Sequence, residues 1–157
     1  MIHSSQVRDA IIRMLKDANS DWIFCEYFPT PTSPKLSDDN DVLVLVLHAV
    51  HFSVLAIKKI NGSFQYIHLC NEGRPLPIHY QESLNMMTAE EITPRHGISN
   101  ANGNLCGYYV LEFVRILIEF GTDIPNLNKY VISTNFRQTR GIKNDGVIEE
   151  LDNLLNW

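Results

Sequence analysis

This sequence predicts an α+β fold with a central mixed or antiparallel sheet flanked by helices, and three observations carry that reading. The stretch Asp41 to Lys59 is rich in Val, Leu and Ile, lacks Gly and Pro, and is followed at once by Asn61-Gly62. Such a run reads as strands buried on both faces, and Asn-Gly is a strong hairpin signal. Before it, Val7, Ile11, Met14 and Leu15 recur at helical spacing; after it, Tyr108 to Phe120 holds no helix breaker and few polar residues.

Element by element, Ser4 or Ser5 caps a first amphipathic helix that ends near Asn19. Trp22 to Phe28 is a short strand or a packed aromatic segment, and Pro29, Pro31 and Pro34 then impose a loop that runs to Asn40. Val50 to Ile60 is expected to fold back on Ser63 to Asn71, with a turn over Glu72 to Pro77. A weaker helical pattern follows from Ile78 to Thr93, with Leu84, Met87 and Ile92 on one side and Pro94 closing it. Gly97 to Gly107 is loop by composition, Tyr108 to Phe120 a largely buried helix stopped by Gly121, and Asp145 to Leu155 a final helix.

At 157 residues the chain fits one domain, 1–157, large enough to bury a core without staples. A hydrophobic fraction of 45% with 20% charged residues is that of a globular protein and not of a disordered one. The net charge of -5, without any run of Lys and Arg interleaved with aromatics, argues against a nucleic-acid partner. Three cysteines with no C-x-x-C pair indicate neither a disulfide framework nor a zinc knuckle and fit a reducing, intracellular setting. Arg8, Asp9 and Arg13 are mixed among the apolar positions of the first helix, which suits an amphipathic helix and not the unbroken apolar stretch of a signal peptide. Val42 to Leu47, the longest apolar run, is too short to span a bilayer, so no membrane partner is expected. His3, His79 and His96 lack metal-ligand spacing, and no metal or cofactor is expected.

Two residues stand out chemically. Cys106 sits where a loop rich in Gly and Asn enters a buried helix. The positive end of a helix dipole favours a thiolate, the form that attacks carbonyls, and Gly107 allows close approach of a substrate to the backbone. His51 interrupts a buried strand that has no other reason to carry an imidazole, which makes it the candidate base for that thiol.

With these residues in this order, the chain resembles the Ulp/SENP family of ubiquitin-like proteases, in the clan that includes the adenovirus protease. Asp41 to Ile57 is similar to the family's paired strands ending in His-Trp-Ser-Leu, with His51 at the catalytic histidine and Phe52 in place of the tryptophan that roofs the substrate tunnel. Asn100 to Gly107 is similar to Gln-x-Asn-x-x-Asp-Cys-Gly: Cys106 matches the nucleophile, Asn102 the internal Asn, Asn100 stands where Gln supplies an oxyanion amide, and Leu105 replaces Asp. Gln65 to Leu69 is similar to the family's Tyr-Leu-Asp-Ser strand, which sets His68 at the position that orients the imidazole.

Hairpin register leaves that third position open. A two-residue turn puts His68, Cys70 and Glu72 on the same face as His51, whereas a three-residue loop sets Asn71 opposite it. His68 and Asn71 are the leading candidates, followed by Glu72. Trp22 is the candidate second wall of the tunnel. The resemblance implies an Ulp/adenain-like fold and a monomeric thiol protease without a cofactor, cleaving after the terminal glycine of ubiquitin or a ubiquitin-like protein, or within a polyprotein. Two alternatives stay open: a catalytically inactive binding module, and an acetyltransferase related to YopJ that would draw on coenzyme A.

Overall fold

The computed structural model describes residues 4–25, 41–48, 51–70, 72–93 and 106–120. Helix α1 (Ser4–Asp17) buries Val7, Ala10, Ile11, Met14 and Leu15 along one stripe. Asn19, with φ of 48°, takes the left-handed conformation that stops it. Five strands follow in a single sheet of order β1-β2-β3-β4-β5: β1 (Ile23–Cys25), β2 (Val42–His48), β3 (His51–Ile60), β4 (Ser63–Leu69) and β5 (Glu90–Thr93). The inner pairs are antiparallel, while β1 on β2 and β5 on β4 run parallel, so the sheet is mixed.

The Asn61-Gly62 turn joins β3 to β4 directly. Its two residues have φ of 52° and 83°, and a two-residue turn with both φ positive matches the twist of the strands it joins. Ile60 thereby pairs with Ser63 and Val54 with Leu69. Of the two registers open in the sequence, the structure takes the two-residue one.

Helix α2 (Ile78–Met86) connects β4 to β5, and α3 (Cys106–Phe120) lies against β3 and α1. Two apolar layers result. Even-numbered β3 residues Phe52, Val54 and Ala56 join Leu43, Ile67 and Leu69 under α1 and α3. On the reverse face Leu55 and Ile57 pack with Val42, Val44, Leu76, Leu84 and Met87 on the α2 side. Burial of β2 and β3 on both faces follows from this sandwich and matches their unbroken apolar sequence.

The structure corrects two boundaries. The helical pattern of Ile78 to Thr93 ends at Met86, because residues 90–93 leave the helix to pair with β4 as an edge strand. Helix α3 begins at Cys106 and not at Tyr108, so the sulfur belongs to its first turn. The expected 145–155 helix and the 97–105 loop lie outside the described residues, as do Asn71, Asn100 and Asn102.

Candidate functional site

Opposed residues of an antiparallel pair share a face of the sheet. The observed register sets Val46 opposite Ser53, His48 opposite His51 and His68 opposite Leu55; one step beyond its last pair, Cys70 meets Ser53. His51, Ser53, His68 and Cys70 therefore form a polar island on the α2 side of an apolar sheet. All four are buried, and burying polar groups is costly unless they bond one another. They do so in two pairs: His51 Nε2 lies 3.1 Å from Cys70 Sγ, and His68 Nε2 lies 2.8 Å from Ser53 Oγ. A cavity of about 350 Å³ opens at the His68 end, bounded by Tyr66, Gln81, Asn85 and Glu91.

His51 begins β3 and is 8% exposed. Burial pushes its pKa below 6.5; the Arg74 guanidinium adds to this and the Glu72 carboxylate opposes it. Arg74 and Glu72 are themselves paired, Nε to Oε2, at 2.6 Å. The net effect keeps the imidazole neutral at neutral pH, the state in which it can accept a proton.

Cys106 is 4% exposed and lies in the cluster beneath α1 and α3 together with Phe52, Tyr109 and Phe113. The structure thus bonds His51 to Cys70 and places Cys106 in the layer on the other side of the sheet, at the first turn of the helix that packs on β3. His68, a candidate to orient His51, gives its Nε2 to Ser53. Glu72 acts on His51 through its charge while it is paired with Arg74.

Trp22 is 8% exposed, and its indole N–H donates to the Leu117 carbonyl at 3.1 Å. Leu117 is eleven residues along α3 from Cys106, roughly 16 Å at 1.5 Å per residue. The indole is anchored at the far end of that helix from the thiol.

Cys70 is the residue whose role was hardest to read from sequence. Strand parity put it on the His51 face, but a cysteine in an apolar strand reads as a small hydrophobe. Among the described residues, no group of three or more His, Cys, Asp or Glu side chains is disposed to hold a metal ion. No helix among them is long and apolar enough to cross a membrane.

The sequence matches no protein-family model and no curated relative. Solved structures do match. A protease of ASFV, crystallised as the selenomethionine protein, superposes with a TM-score of 0.52 at 10% identity over 81% of this chain and 59% of its own. A de-sumoylating protease superposes with a TM-score of 0.52 at 11% identity over 96% of this chain and 78% of its own. This chain therefore spans less than two thirds of the first protein's length. Identities this low speak for the fold alone, and the fold is that of the Ulp-like cysteine proteases.

Proposed function

We propose that this chain is a thiol peptidase or isopeptidase that cleaves after the C-terminal glycine of ubiquitin or a ubiquitin-like modifier, or at a comparable bond in a polyprotein. The observation that carries the reading is the placement of a thiol, Cys106, in the first turn of α3, a helix packed on the strand that begins with the neutral imidazole of His51. The protease fold supports it.

In this reading the first turn of α3 and the start of β3, which carry Cys106 and His51 on different layers, close on one another around the bound tail. His51 then takes the Cys106 proton, and the thiolate forms a C–S bond to the glycyl carbonyl carbon as the carbonyl π pair moves onto oxygen. Asn100 and backbone amides hold that oxyanion. Collapse breaks the C–N bond, and the imidazolium returns its proton to the leaving amine. Water, activated by His51, then hydrolyses the thioester. Phe52 supplies an aromatic wall for the narrow tail.

A ubiquitin-like protein ending in propargylamide tests this. Such a probe is expected to form a covalent adduct with the wild type and none with Cys106→Ser; an undiminished adduct in that variant refutes the assignment. The 3.1 Å contact of His51 favours a second reading, in which Cys70 is the nucleophile. Against it stand the complete burial of Cys70 and its seat directly after β4, eight residues before α2 begins and not in the first turn of a described helix. Loss of the adduct in Cys70→Ala, with Cys106→Ser still labelled, would establish it.

A further inference from the structure

We infer that Cys70 is the positioning residue of His51: its sulfur accepts the imidazole Nε2–H and so presents Nδ1 as the proton-accepting nitrogen. The inference rests on the peptidase reading above and names the group that serves the base.

His51 has two ring nitrogens, and a neutral imidazole carries its proton on one of them; whichever is bound by a fixed neighbour decides which is left to do chemistry. Among the described residues, the hydrogen-bond partner that the structure gives this ring is Cys70, at 3.1 Å from Nε2. The other described candidates on that face are otherwise engaged: His68 with Ser53, Glu72 with Arg74. Cys70 suits the task because it is held rigidly. It is wholly buried, next to Leu69, whose own pairing with Val54 fixes the strand at that point. A sulfur so placed cannot reach a substrate, but it can set the plane and tautomer of a ring.

Sulfur is a weak acceptor, so it would orient the ring without the strong stabilisation of imidazolium that a carboxylate supplies. The base then stays neutral because burial and the Arg74 guanidinium outweigh the opposing charge of Glu72. Proton bookkeeping is simple: the Cys106 S–H proton passes to Nδ1, Nε2 keeps its own, and both nitrogens are protonated while the thioester forms.

The test combines kinetics with ¹⁵N NMR of the His51 ring. In the wild type the ring is expected as the Nε2–H tautomer; finding the Nδ1–H tautomer overturns the inference without any variant. Cys70→Ala is expected to lower kcat on a ubiquitin-like fusion substrate by about 10²-fold, the scale of a misplaced catalytic group, with KM changed by less than about threefold. Cys70→Ser and Cys70→Asn, which keep an acceptor, are expected to restore most of kcat. Cys70→Asp should move the pH profile of kcat/KM upward, because a carboxylate stabilises the imidazolium. Wild-type kcat and an unchanged His51 tautomer in Cys70→Ala, while Cys106→Ser is dead, overturn the inference and leave the peptidase reading intact. Full turnover by Cys106→Ser overturns Cys106 as the nucleophile, and no turnover by the wild type overturns the peptidase reading itself.

Discussion

His68 Nε2 and Ser53 Oγ are 2.8 Å apart, both buried, one step along the sheet from the His51–Cys70 pair. The contact separates the two histidines by role. A buried hydroxyl left without its partner costs about 1–3 kcal/mol, so His68→Ala is expected to lower the urea midpoint accordingly. Probe labelling per folded molecule should stay within about threefold of wild type, since His68 is not bonded to His51. A loss of labelling comparable to that of His51→Ala would mean that His68 serves the base after all.

Trp22 tests a purely structural tie. Its indole N–H bonds the Leu117 carbonyl, in a last turn whose carbonyls lack intrahelical donors. Trp22→Phe keeps an aromatic ring in the core but removes the donor, and is expected to cost about 1 kcal/mol in equilibrium unfolding. Activity should follow the folded fraction only, because the ring lies at the opposite end of α3 from Cys106. A drop in kcat at full folding would restore Trp22 as a tunnel wall.

Much of this fold was legible because local chemistry and long-range pairing agree. Asn61-Gly62 demands positive φ at two positions, and the run of Val, Leu and Ile that precedes it fills both faces of a sheet. The shorter strands were not legible in the same way. β5 comprises four residues, Glu90 to Thr93, and continues a helical spacing; only pairing with Gln65 to Ile67 makes it a strand. β1, at three residues, is likewise defined by its partner β2. In the candidate site, His51 announced itself as an imidazole in an apolar run. Cys70 did not, because its significance depends on a register that the sequence left open and on a side chain that reads as core.

The turn itself can be weighed. Gly62 has φ of 83° and open space around the position a Cβ would occupy. Gly62→Ala therefore meets no clash, and its cost is that of a left-handed backbone for an L residue, roughly 1–2 kcal/mol. Asn61→Gly should cost much less. If Gly62→Ala proved neutral in urea unfolding, the positive φ would not be a constraint on the hairpin, and the register argued from it would lose its basis.

The lowered pKa of His51 makes stability depend on pH with a definite sign. Above 6.5, folded and unfolded chains both hold this imidazole neutral, and its contribution to stability is fully present. As pH falls below 6.5 the unfolded chain binds a proton that the folded chain resists, because burial and Arg74 disfavour the cation. Stability is then lost progressively, until the folded group protonates as well. Urea midpoints at pH 7.5 and 5.5 should therefore differ more for the wild type than for His51→Gln. Arg74→Gln should also narrow the difference, since it removes a cation that lowers the pKa and frees the opposing charge of Glu72. Identical pH dependence in the wild type and His51→Gln would mean that the imidazole is as easily charged in the folded chain as in water, which is incompatible with its burial against Cys70.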